Sequence, residues 1–169
     1  MERFSNNIKA LMNEAEIEVE NFDLKNGEKI IAYFSELPTI SGFPYKIIII
    51  EDSDRIIHSR FRQWDTAYNF TRWTRGIYNL DRLRIITDEK ILSETDTIIL
   101  KEQLVKLEQI ELPKSICDEK AIILDGSIWK FGVILANKNA DYYWKAATEA
   151  INLFDPIIEM MRKQYLDRI

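Results

Sequence analysis

Apolar and polar positions change their spacing several times along the chain, and each change predicts an element. Phe4, Ile8, Leu11 and Met12 share one helical face behind Ser5, a suitable N-cap, and predict an N-terminal helix. From Glu14 to Glu20 acid and apolar residues alternate with a period of two. That pattern predicts a half-buried strand, because a helix would set Glu14 against Glu18 and Glu16 against Glu20 at i, i+4. Asn26-Gly27 is a hairpin turn signal, and a strand over 29–35 follows it. Residues 37–44, with two prolines and Gly42, read as a loop. The run 45–50 includes four consecutive isoleucines, which predicts a strand covered on both faces. Asp52-Ser53-Asp54 turns the chain, and a strand over 56–63 returns.

Asp65 as a cap and Gly76 as a stop predict a short helix over 65–75, against the strand preference of its aromatic residues. Residues 83–87 predict a strand. Residues 100–107, apolar at i, i+4 and i+7, predict a helix. Segments 121–124 and 128–136 flank Asp125-Gly126 as a hairpin, and 137–139 turn into a strand over 142–145. An amphipathic helix closes the chain over 148–166. Pro156 after Asp155 means that this helix is kinked there or begins there.

Hairpins flanked by helices predict one α+β domain over residues 1–169. The expected architecture is an antiparallel sheet of about five to seven strands, with the N-terminal helix and the long C-terminal helix packed on one face. With 46% hydrophobic and 30% charged residues, the composition excludes disorder as the main state. Cys117 is the single cysteine, so no internal disulfide forms, and a reducing cytoplasm is the expected setting. The opening residues lack the pattern of a signal peptide, and no apolar run reaches the length of a membrane span.

Charge alters this picture in one place. The chain carries a net −5, yet residues 55–84 hold seven of its arginines, two aspartates, and neither Lys nor Glu. Phe61, Trp64, Tyr68, Phe70, Trp73 and Tyr78 are threaded among those arginines. Arg, Trp and Tyr dominate interface hot spots, so Arg60, Arg62, Trp64, Arg72, Trp73, Arg75 and Tyr78 are candidate partner-binding residues. Glu16 and Glu18, on the acidic stripe, are candidates for meeting a basic partner. The plainer reading is packing: Arg60 and Arg62 share one strand face and could pair with the acids of residues 14–20. A nucleic-acid or nucleotide-phosphate site on Arg60, Arg62, Arg72 and Arg75, with Trp73 as a stacking platform, is an alternative. The net negative charge and the absence of Lys argue against it.

Asp52 and Asp54 form a D-x-D that could hold a divalent metal in a metal-dependent enzyme, although such pairs are ordinary in turns. His58, the only histidine, has no orienting partner that the sequence identifies, and Cys117 lies in no nucleophile motif. No catalytic motif is present, so neither an enzyme nor a cofactor is expected.

The stretch Ile123-Leu124-Asp125-Gly126-Ser127-Ile128-Trp129-Lys130-Phe131, with the aromatic strand and apolar helix after it, resembles small bacterial proteins of the immunity type found in polymorphic toxin systems. The resemblance covers about the last 50 residues and rests on L-D-G-x-x-W-x-F. It implies a cytoplasmic, non-catalytic inhibitor of one cognate toxin, and it assigns no binding residues. The expected function is therefore an interaction protein whose partner is another protein, with neither a membrane nor nucleic acid as its target.

Overall fold

The computed structural model describes residues 2–38, 44–76, 83–117 and 127–169. The elements run α1 (Glu2–Glu20), β1 (Lys29–Pro38), β2 (Tyr45–Glu51), β3 (Ile57–Trp64), α2 (Thr66–Thr74), β4 (Ile85–Ile91), α3 (Glu94–Gln109), β5 (Ser127–Ile134), β6 (Asn139–Trp144) and α4 (Asp155–Lys163). A 3-10 turn, Glu149–Leu153, precedes α4. The six strands form one antiparallel sheet in the order β4-β3-β2-β1-β5-β6. The fold is α+β, as the pattern predicts.

Successive residues of a strand point to opposite faces, so each rung of the sheet belongs to one side. The rung Phe61–Ile47–Phe34–Phe131–Tyr142 faces the main core. There it meets Phe154, Ile157, Met161 and Tyr165 from the C-terminal segment, with Leu100 and Leu107 of α3. Tyr165 stacks on Phe61 at 4.7 Å, and its hydroxyl donates to the Ser59 carbonyl at 2.7 Å. The next rung, Arg62–Lys46–Ser35–Lys130, faces the other way, toward α1. The two terminal helices therefore cover opposite faces, which corrects the expectation that they share one. The physical reason lies in the four isoleucines of β2: Ile47 and Ile49 join the main core, and Ile48 and Ile50 are buried on the far side.

Residues 14–20 are the last turns of α1, not a strand. Ala15 and Val19, four apart, pack on Trp64 and define the buried stripe that the alternation conceals. Glu18 and Glu20 do not repel idly, because cations of the sheet meet them. The helix over 66–74 forms as expected: the Asp65 carboxylate accepts from the Tyr68 N–H at 3.0 Å, and Gly76 follows at φ +76°. β4 and α3 extend beyond their predicted bounds, and Ser93 caps α3 by accepting from the Asp96 N–H at 3.1 Å. The C-terminal helix begins at Asp155, with Pro156 in its first turn, rather than bending there: Phe154 takes the cap position, and the preceding turn is 3-10. The predicted strand over 121–124 and the Asp125-Gly126 turn lie outside the described residues.

Candidate functional site

The arginine–aromatic segment divides at Asp65. On β3, residues 58, 60, 62 and 64 all point to the α1 face, because a strand alternates. Arg60 is 8% exposed. Its guanidinium holds Glu28 in a bidentate pair at 2.5 and 2.8 Å, and its Nε donates to Glu89 at 2.8 Å. These bonds from Arg60 hold the Glu28 and Glu89 carboxyls below the ordinary carboxylate range, against the opposing effect of burial. Arg62 donates to the Asn21 carbonyl, approaches Glu18 at 3.5 Å and lies over the Phe22 ring. Trp64 is buried against Ala15 and Val19. Arg60, Arg62 and Trp64 are thus engaged within the chain, and the expectation that they form a docking surface is corrected. Edge strand β4, helix α1 and the turn before β1 supply the acids that the segment itself lacks.

On α2 the same residue types turn outward. Tyr68 is 40% exposed and Phe70 is 51% exposed. The guanidinium carbons of Arg72 and Arg84 lie 5.5 and 5.3 Å from the Tyr68 ring centre. Arg84 also reaches Asp65 at 3.2 Å, and Arg75 is exposed just after the helix. The Trp73 side chain and Tyr78 lie outside the described residues. This face presents aromatic rings flanked by guanidinium groups, a combination suited to burial against another protein.

The acidic stripe is distributed around α1. Glu20 bonds Lys46 at 2.6 Å, reaches Lys130 at 3.3 Å and accepts from the Ser35 hydroxyl at 2.9 Å. Glu18 is the exposed acid that meets Arg62, and Glu16 is half-buried. Burial raises the Glu16 carboxyl above its ordinary value, with Lys130 opposing and Glu20 adding to the shift.

Asp52 is the hub of the β2–β3 turn. One carboxylate oxygen accepts from the N–H groups of Asp54 and Ile56, and the other contacts His58 Nε2 at 2.8 Å. These bonds, His58 first, lower its carboxyl below the ordinary range. Between those two N–H groups Arg55 sits at φ +63°, in the left-handed region that residues other than glycine seldom adopt. His58 Nδ1 lies 3.3 Å from Glu89, so the imidazole bridges two carboxylates. Among the described residues, no group of three or more His, Cys, Asp or Glu side chains is placed to hold a metal ion. Cys117 pairs through its backbone with Ala147.

Local sequence patterns miss one cleft. A rung at the end of the sheet brings Tyr45, Glu36, Trp129 and Trp144 side by side, facing the first turns of α4. The two indoles stack at 6.4 Å and 24°. Between this rung and α4 lies a cleft of about 460 Å³, which also takes in Asp155, Glu159 and Arg162. Burial, with Glu159 beside it, raises the Asp155 carboxyl above its ordinary value. The signal available in the sequence is the pair of tryptophans placed symmetrically about the β5–β6 turn.

No family model matches this chain, and a search of curated proteins finds no match to it. No helix among the described residues is long and apolar enough to cross a membrane.

Proposed function

We propose that this is a non-catalytic interaction protein of the cytoplasm that recognises another protein through the outward face of α2. The observation that carries the reading is the exposed Tyr68–Phe70 pair, with Arg72 and Arg84 beside the Tyr68 ring. Large aromatic side chains left half in water gain most from being covered by a partner, and a guanidinium beside them adds directional hydrogen bonds. The resemblance around Trp129 gives this reading its specific form, an immunity protein that neutralises a cognate toxin. A nucleic-acid site is the weaker reading, since two of its four guanidinium groups, Arg60 and Arg62, are already ion-paired with acids of the same chain.

The test is a binding titration against the purified product of the adjacent gene, with the Phe70→Ala and Arg75→Glu variants alongside. Micromolar or tighter binding that both substitutions weaken by about tenfold or more supports the proposal. Binding indifferent to both substitutions removes α2 as the recognition face. Absence of binding, together with no protection of cells that express the neighbouring protein, removes the immunity reading.

A further inference from the structure

The cleft beside α4 stands apart from the α2 face and needs its own explanation. Its floor is the Glu36 carboxylate, which accepts from the Tyr45 hydroxyl at 3.0 Å and from the Ser127 hydroxyl at 2.8 Å. Both donors are neutral, and no ion pair forms at Glu36 among the described residues. The carboxylate is therefore held by neutral donors, and the Arg162 guanidinium stands one group away, on the Tyr45 hydroxyl. Burial and the charge of Glu36 push the Tyr45 hydroxyl upward, against the opposing effect of Arg162, so it stays a donor at any physiological pH. One wall is the indole pair, and Phe34 and Ile158 give the cleft apolar surface. Asp155 and Glu159 stand on the opposite wall. Three carboxylates face two cations here: Lys145, which is exposed, and Arg162, which lies 3.5 Å from Glu159 and also reaches the Tyr45 hydroxyl.

The geometry points to a binding site for an organic cation, a guanidinium or substituted ammonium group, with its charge toward Glu36 and Asp155 and its body along Trp129. An indole face attracts a cation through its ring quadrupole, and a carboxylate nearby fixes the direction of approach. The cleft's 460 Å³ suits a small ligand or a single long side chain. An anionic ligand would meet an excess of carboxylates. A bare metal ion needs oxygen ligands that converge, and among the described residues no three carboxylates are placed to share one. Arg162 then acts as a competing cation at the rim. This assignment does not depend on the α2 reading.

The test uses the intact protein, titration calorimetry and tryptophan fluorescence, with N-acetyl-arginine amide as the probe and acetate as the anionic control. The amide should bind saturably. Glu36→Gln should weaken it about tenfold or more, the loss expected of a hydrogen bond to a charged group. Arg162→Gln should strengthen it, and acetate should not bind. A melting curve for each variant separates loss of the site from loss of the fold, and Trp129→Phe keeps an aromatic wall should Trp129→Ala unfold. No amide binding, binding unchanged in the folded Glu36→Gln protein, or binding weakened by Arg162→Gln overturns the proposal. A short arginine-bearing peptide distinguishes the source. Tighter binding than the amide assigns the cation to a partner chain, and equal binding assigns it to a free small molecule.

Discussion

The ring of Tyr33 occupies the space above Gly132: a Cβ built on that glycine would lie 2.1 Å from the Tyr33 Cε1 atom. The two residues are directly paired across β1 and β5, and the next residue on the rung, Asp141 of β6, accepts from the Tyr33 hydroxyl at 2.5 Å. The ring is thus fixed at its far end and cannot slide away from an added methyl group. Gly132→Ala should destabilise the protein by about 1–3 kcal/mol, the usual cost of overpacking. Tyr33→Ala should remove most of that penalty in the double variant, a coupling that urea denaturation can read.

Arg60 joins two carboxylates of unequal burial. Its removal leaves Glu28, whose side chain is 6% exposed, charged and unpaired. Arg60→Met should cost roughly 3 kcal/mol, the lower end for a broken buried pair, because Glu89 remains partly in water. Glu28→Gln should cost more than Glu89→Gln in the same assay. The reverse order would show that the pair with β4 matters more than the pair at the start of β1.

Acid should weaken the fold through these same groups. The carboxyls of Glu28, Glu89 and Asp52 are held low by hydrogen bonds to Arg60 or His58. Glu20 also ends below its ordinary value, since Lys46 and Lys130 outweigh its burial. A depressed folded-state value contributes stability that is complete above the unfolded value and is lost as pH falls through the folded one. Urea midpoints should therefore fall progressively as pH drops below about 4.5, the ordinary range of these groups. Asp155 and Glu16, both raised, act in the opposite sense: their contribution is present below the unfolded value and is lost as pH rises through the folded one. Arg60→Met should flatten the acid limb.

Two aromatic substitutions separate surface from core within one segment. Phe70→Ala should leave stability within about 0.5 kcal/mol, as is usual for an exposed position. Trp64→Ala should cost about 3–5 kcal/mol, because it empties the space under Ala15 and Val19. Thermal or urea unfolding checks both, and a large loss at Phe70 would mean that α2 packs more tightly than its exposure indicates.

Strands β1, β2 and β3 were legible because a run of isoleucines is a local signal, Asn26-Gly27 marks the turn into β1, and Asp52-Ser53-Asp54 marks the turn between β2 and β3. The end of α1 was not. Its acids are tolerated through Lys46, Arg62 and Lys130, which lie far away in sequence, so local like-charge repulsion gave the wrong answer for Glu14 to Glu20. The composition of residues 55–84 is unusual, but strand parity on β3 turns Arg60 and Trp64 toward α1, and the helical face of α2 turns Phe70 outward. β4 escaped its bounds because Asp88, Glu89 and Lys90 look like loop, whereas an edge strand commonly carries such charges to discourage further pairing. The cleft needed long-range register: Glu36 meets Trp129 and Trp144 only once β1, β5 and β6 are aligned.

The two sides of the sheet are held by different forces. Among the described residues, the side beneath α3 and α4 is mainly apolar, whereas the last turns of α1 meet the sheet through Ala15 and Val19 on Trp64 and through ionic contacts led by Glu20. Ionic contacts near water fade as salt rises, and hydrophobic ones do not. The amino-terminal helix should therefore exchange its amide hydrogens sooner than β2, and sooner still in concentrated sodium chloride. Peeling away first, it would uncover the positively charged strip of Lys46, Arg62 and Lys130 while the remainder of the protein stays intact.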